Sequence, residues 1–458
     1  MEDFIELYML SEIFKAYDIR GIYGQTLTED VAYKIGRAFV YFLNAKDVII
    51  GTDMRVSSPE LSNAFVKGVA EQGANAIFIG QVCTDATYFG SGFMRMPAVM
   101  FTASHNPSQW NGLKLSKSDA IPINQDTGLN KIKSIVENGD YEKKKIKKEG
   151  RIIKKNILKD YVIHVRRFIN TQRLKKLKFA VDAGNGMAGK IIPLVYKNLQ
   201  VEIVPLYFKL DGTFPNHPAD PSKYENLIEL QKAVKKKNCG FGMAFDGDAD
   251  RIFFVDENGN AVNSSLVSSL IIKNILAKKS DEKVIHNAVC SHIVPETIKK
   301  YGGKPVIERV GHSFIKDTMR RTKAIFACEH SAHYYYRDNY RADSGIITSL
   351  IVAEIISREN KPLSKLLDEF RKYFTIEETS VEVGNKSAKM KDIESIYKNQ
   401  NPKKISKLDG VTIEFDDWWF NVRPSNTEPL LRLNLEANKK DLMKEKKGEL
   451  LKLMKLKY

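Results

Sequence analysis

The chain has 458 residues, 43% of them hydrophobic and 28% charged, with a net charge of +16. At about 100–150 residues per domain, that length predicts three or four globular domains. No run reaches the ~20 apolar residues of a membrane helix, the opening "MEDFIELYMLSEIF" lacks the basic region of a signal peptide, and four scattered cysteines without a C-x-x-C pair argue against a zinc site or disulfide framework.

These features predict a cytoplasmic protein with no membrane contact. The positive charge is compatible with nucleic acid or with small anionic ligands. The densest basic run, "KKKIKKEGRIIKK" at 143–155, carries no aromatic residue and reads as a solvated helix-to-strand connection. No nucleic-acid partner is expected.

Strand and helix alternate from the start. "DVIIGTD" (Asp47–Asp53) reads as a buried strand, followed by the helix "SSPELSNAFVKGVAEQG", with Ser58 as N-cap, Pro59 at the first helical position and Gly73 at its end. "NAIFIG" and "PAVMF" read as strands, the latter ending at "TASHNP" (Thr102–Pro107). After the basic run, "LKFAVDA", "VEIVPLYF" and "GFGMAF" form a second set of strands. A third set follows Asn258, with strands "KVIHNAV", "KPVIE" and "KAIFAC" between helices. The last stretch differs, with "GVTIEF", "WWFNV" and "LLRLNLEA" close together before a lysine-rich helix. The expected fold is three consecutive α/β domains with mixed, mostly parallel sheets and a small C-terminal α+β domain around a central cleft. The expected boundaries are 1–153, 154–257, 258–370 and 371–458.

Ligands of such sheets bind at the carboxyl ends of strands, and the chemistry-bearing motifs fall there. "TASHNP" alone is compatible with a plain loop. "FDGDADR" spaces Asp246, Asp248 and Asp250 two apart. Carboxylates this close repel one another unless a cation holds them, and oxygen-only ligands suit Mg²⁺. An EF-hand is disfavoured because its glycine position is Arg251 and "IFFV" reads as a strand. "GNGMAG" has the spacing of a dinucleotide loop but lacks the acid expected at the end of the second strand, so a tight glycine turn is preferred. In "CEHSAHYYY", Glu329, Ser331 and His333 alternate and would face one way if extended, suited to sugar hydroxyls; an exposed strand fits equally. "RPSNTEP" sets Arg423 beside Ser425, Asn426 and Thr427, either an ordinary turn or an anion nest with a guanidinium clamp.

Together "FKAYDIRG", "TASHNPSQWNGLK", "FDGDADR", "EHSAHYY" and "RPSNTEP" resemble the phosphomannomutase/phosphoglucomutase branch of the α-D-phosphohexomutases, in order and spacing, from Phe14 to Leu433. "DGTFPNHPADP" and "VGHSFIK" add two further family-like stretches. The resemblance implies a phosphosugar substrate, a phosphorylated Ser104, and a hexose 1,6-bisphosphate that is both intermediate and activator. It implies Mg²⁺ on Ser104, Asp246, Asp248 and Asp250, with Arg20 and Arg251 near the reacting phosphate. Lys114 and His312 become the general acid and base, in unassigned order, and His105 positions the phosphoserine. Tyr17, Glu329, Ser331, His333, Arg423, Ser425, Asn426, Thr427 and Arg432 become substrate-binding residues. The expected state is a monomer or small homo-oligomer.

Two positions depart from the family pattern. Cys328 replaces a glycine, and Val289 stands where a basic residue usually helps bind the sugar phosphate, with His292 as a nearby substitute. A phosphoglucosamine mutase is the nearest alternative, but Thr102 and "EHSAHYY" favour the mannose/glucose branch. A basic nucleic-acid-binding protein is the remote one.

Overall fold

The computed structural model describes residues 10–425 and 430–456. Four sheets follow one another along the chain. In the first, Ala98–Phe101, Asp47–Thr52, Asn75–Gln81 and Ile152–Lys154 run parallel, and Trp110–Lys117 returns antiparallel between Ala98–Phe101 and Ile19–Ile22. Asp47–Thr52 is buried from Val48 onward, which is why it reads as a continuous apolar run: helices and neighbouring chain cover both faces. The basic run 143–155 ends in Ile152–Lys154 at the sheet edge.

The second sheet pairs Leu177–Asp182 in parallel with both Val201–Leu206 and Phe241–Phe245, then turns antiparallel at Ile252–Asp256. The third pairs Lys283–Asn287 in parallel with Lys304–Glu308 and Phe326–Cys328, and Tyr334–Tyr336 returns antiparallel. The fourth is antiparallel throughout, built on Val411–Glu414, Trp418–Pro424 and Leu430–Ala437.

One apolar core runs through the first three sheets, from Ile49 through Phe179 to Phe370, whereas the fourth has its own core around Ile413, Phe420 and Leu433. The helix Gly345–Glu359 lies inside the larger core, so its sequence is apolar all round. Its single buried acid, Glu354, accepts a hydrogen bond from the Asn170 backbone N–H at 3.0 Å. Among the described residues no helix is long and apolar enough to cross a membrane.

One local expectation is corrected. The helix runs Ser58–Glu71, so Ser57, without a side-chain cap bond, is its N-cap residue and Pro59 its second residue rather than its first. The Ser58 hydroxyl instead donates to Asp53 Oδ1 at 2.8 Å, so a tertiary partner competes successfully with the cap.

Candidate active site

Three strand ends and the last hairpin open on one cleft of about 1040 Å³. Ala98–Phe101 delivers the loop carrying Ser104. Ser104 is 2% exposed and sits at φ +50°, in the left-handed region, with its N–H bonded to Thr102 Oγ1 at 2.9 Å. Arg55 holds this loop from behind. Its guanidinium donates to the carbonyls of Pro107 and Trp110 (2.8 Å each), Ser104 (2.9 Å) and Asn106 (2.7 Å). Asp53 balances its charge at 3.4 Å. The Ser104 hydroxyl donates to Asp246 Oδ2 at 2.6 Å and lies 3.2 Å from His105 Nδ1.

Phe241–Phe245 delivers Asp246, Asp248 and Asp250, all at most 1% exposed and with carboxylate oxygens within 4.8 Å of one another. Gly247 lets this loop meet the serine loop, since a Cβ there would stand 2.4 Å from the Ser104 carbonyl oxygen. The "GNGMAG" turn supports it from below, Met187 N–H donating to the Gly247 carbonyl at 2.8 Å. That turn is structural, in keeping with the tight-turn reading.

Lys114 Nζ lies 2.7 Å from Asp248 Oδ2 and 2.6 Å from Asp250 Oδ2, and Thr84 Oγ1 donates to Asp248 Oδ2 at 2.5 Å. Asp248 Oδ1 and Asp250 Oδ1 are both buried. Carboxylates clustered this tightly, with Asp248 Oδ1 lacking a hydrogen-bond partner among the described residues and Asp250 Oδ1 met only by His333 Nε2 at 3.5 Å, fit a hard cation such as Mg²⁺. Burial, reinforced by Asp250 and Asp248, pushes Asp246 well above the usual carboxylate range. Burial by itself lowers Lys114, but the two carboxylates outweigh it and hold the ammonium well above its ordinary value.

Arg20 reaches into the cleft, held by Asp18 at 2.8 Å and bonded to the Asn106 side chain. Arg251 Nε is 3.8 Å from Asp246 Oδ2 and donates to His333 Nε2 at 3.2 Å. Tyr17 stands edge-on to the His312 ring, with centroids 5.2 Å apart. Both His312 nitrogens are buried without a partner among the described residues. Burial, then the charges of Lys316 and Lys114, push its pKa well down.

Phe326–Cys328 delivers Glu329, Ser331 and His333, which all line the cleft. They do so from a turn, with Ala332 at φ +62°, rather than from the extended segment that their alternation suggested. Ser331 Oγ lies 2.9 Å from His333 Nδ1. Glu329 Oε2 accepts from Asn287 Nδ2 and Gly311 N–H, each at 3.1 Å, and its other oxygen accepts from Tyr335.

In the fourth domain Arg423, Ser425 and Arg432 line the cleft, whereas Asn426 and Thr427 lie outside the described residues. Arg423 is not a bare clamp. Its Nη2 donates to Glu378 at 2.8 Å, and Arg432 Nη1 donates to the same carboxylate at 2.9 Å. Val289 lines the cleft, whereas His292 is not among its lining residues. Its ring stacks on Trp419 at 5.3 Å, and its N–H caps Glu436 at 3.0 Å.

Sequence reasoning missed Arg55, Thr84, Asn287 and Glu378. Arg55 follows the "VIIGTD" strand end, the place where site residues concentrate, and was legible there. Glu378 has no comparable signal, because its partners come from distant segments.

Residues 11–143, 159–259 and 263–373 match phosphoglucomutase/phosphomannomutase alpha/beta/alpha domains I, II and III, and residues 378–453 match the C-terminal domain of that family. The chain belongs to the phosphoglucomutase/phosphomannomutase family. It is 37% identical to a phosphomannomutase of Vibrio cholerae, covering 96% of this chain and 98% of that protein. It is 38% identical to a phosphomannomutase of Methanocaldococcus jannaschii, covering 96% and 97%. A crystal structure of a phosphoglucomutase/phosphomannomutase family protein from Burkholderia thailandensis superimposes with a TM-score of 0.87 at 29% identity, over 97% of each chain.

Proposed function

We propose that this phosphohexomutase interconverts hexose 1-phosphates and 6-phosphates of mannose and glucose, with Ser104 as the carrier of the transferred phosphoryl group. In one half-reaction the P–O bond to Ser104 breaks and a P–O bond to a sugar hydroxyl forms. The hydroxyl proton passes to a base, and the Ser104 oxygen takes a proton from an acid. The resulting hexose 1,6-bisphosphate turns round and returns its other phosphate to Ser104 by the same steps in reverse.

His312, with both ring nitrogens unpartnered, is the fitting base, and Lys114, beside the reacting loop, the fitting acid. Asp246, Asp248, Asp250 and the Ser104 group would hold Mg²⁺, which when bound neutralises charge on the transferring phosphoryl group. Arg20 and Arg251 flank that group, and His105 steadies the serine side chain. Tyr17 packs against the base. Glu329, Ser331 and His333 would read the sugar hydroxyls. Arg423, Arg432 and the Ser425–Asn426–Thr427 turn would seat the phosphate that is not reacting.

The observation that carries the reading is the Ser104 hydroxyl, 2.6 Å from a buried carboxylate triad at the floor of an arginine-rimmed cleft. Peptide mapping should find ~80 Da on Ser104, the mass of a phosphoryl group. Turnover should stop on chelation, return with Mg²⁺, and be lost in Ser104→Ala. Full turnover by that variant would refute the proposal.

A further inference from the structure

In the antiparallel pair of the fourth sheet, Arg423 and Arg432 stand directly opposite each other and face the cleft. Like charges so placed repel and splay apart unless a counter-ion intervenes. Glu378 intervenes. Its Oε1 accepts from Arg432 at 2.9 Å, and its Oε2 accepts from Arg423 at 2.8 Å and Asn434 Nδ2 at 2.9 Å. His330 Nε2 approaches the same oxygen at 3.1 Å. The other ring nitrogen, Nδ1, faces the Asn287 amide nitrogen at 3.2 Å. An amide nitrogen only donates, so Nδ1 accepts, and Nε2 carries the hydrogen that goes to Glu378. The donors come from the sugar-reading loop and from both arginine strands, so the carboxylate is fixed from several sides.

We propose that Glu378 is a resident counter-ion of the phosphate seat, a positioning residue that keeps both arginines aimed while cancelling one of their charges. The seat then binds phosphate weakly enough to release the bisphosphate halfway through each cycle. The inference rests on the reading of Arg423 as part of that seat. A seat without that negative charge would favour capture over release, and a mutase needs both. Several donors hold Glu378, and burial, although it opposes ionisation, is outweighed by His330, Arg423 and Arg432, which keep the carboxyl well below its ordinary range. It therefore stays charged and in place when phosphate arrives. The same carboxylate joins the seat, through His330 and Asn287, to Glu329 in the sugar loop.

The test is titration of the full-length protein with inorganic phosphate by calorimetry, alongside steady-state kinetics. Glu378→Gln keeps the size and removes the charge. Its dissociation constant for phosphate should fall about tenfold, as expected for removal of one nearby charge, and kcat should fall several-fold together with KM. Glu378→Asp should stay within about twofold of the parent. Glu378→Ser removes the same charge and carries the same expectation should the glutamine variant not fold. Unchanged or weaker phosphate binding in the charge-removing variants overturns the proposal, as does an aspartate variant that behaves like the glutamine one. Arg423→Ala separates the two readings. If it leaves phosphate binding unchanged, the seat itself is misplaced; if it weakens binding while Glu378→Gln does not tighten it, only the counter-ion role falls.

Discussion

Single buried ionisable groups set opposing pH responses in this molecule. Burial pushes Asp85 up to about 6, although Cys83, Tyr161 and Ser344 donate to it. Burial pulls His286 down to about 4. Unfolded, the two groups return to roughly 3.9 and 6.5. Between pH 4 and 6 the folded protein holds the Asp85 proton more tightly than the unfolded chain does, so this contribution to stability falls as pH rises. The unfolded chain binds the His286 proton more tightly, so that contribution is lost as pH falls from about 6.5 to 4. Each is worth about 3 kcal/mol at full extent, by 1.36 kcal/mol per pKa unit, and they largely cancel in the shared window. Asp85→Asn should therefore make the melting temperature climb more steeply from pH 4 to 6, and His286→Asn should make it climb less or decline. Scanning fluorimetry at fixed ionic strength reads both slopes; a slope equal to the parent's in either variant contradicts the corresponding shift.

At the scale of elements, the site depends on how closely two loops approach. The serine loop and the carboxylate loop touch through Gly247, and the serine loop is tied to the first sheet by Arg55. Gly247→Ala would place a Cβ 2.4 Å from a backbone carbonyl that the Arg55 clamp prevents from retreating. The loops should separate by a fraction of an ångström, enough to lengthen the Ser104–Asp246 contact. The expected cost is about 1–3 kcal/mol of stability, as for overpacking, and a fall in kcat of roughly tenfold, less than the hundredfold that a displacement of about 1 Å costs. Denaturant melts and steady-state kinetics read the two effects. Parent-like kcat in a folded Gly247→Ala protein would show that the approach is not critical.

One apolar core is shared by the first three sheets, and the fourth domain has a separate core of its own. If Ser104 carries the phosphoryl group and Arg423 and Arg432 form the phosphate seat, the sugar would be gripped between these two blocks. Mannose and glucose differ at C2 and agree at C3 and C4. If the turn from Glu329 to His333 reads the shared hydroxyls, kcat/KM for mannose 1-phosphate and glucose 1-phosphate should agree within roughly tenfold, or ~1.4 kcal/mol. A coupled assay with bisphosphate activator measures this, with glucosamine 1-phosphate as the contrasting substrate. A thousandfold gap, or preference for the glucosamine compound, would assign the site to another sugar. If the same seat serves both orientations of the intermediate, Arg423→Ala should lower kcat/KM for 1-phosphates and 6-phosphates alike, by roughly tenfold to a hundredfold. A loss in one direction only would restrict the seat to one orientation.

What was legible in the amino-acid order was local. Apolar runs such as "DVIIGT" and "GFGMAF" marked strands because burial on both faces leaves no polar alternation. Ser104 and the three aspartates were legible because each motif sits on one short loop at a strand end. The pairings were not. Ser58 serves Asp53 rather than its own helix, the residues from Glu329 to His333 converge from a turn rather than a strand, and His292 stacks on Trp419. Glu378 meets Arg423 only when distant strands assemble. A sequence determines on its own the conformations that near neighbours dictate. Where charges and hydroxyls find partners across tens or hundreds of residues, the tertiary structure decides, because burial makes an unpaired polar group costly and the fold alone brings the partner within reach.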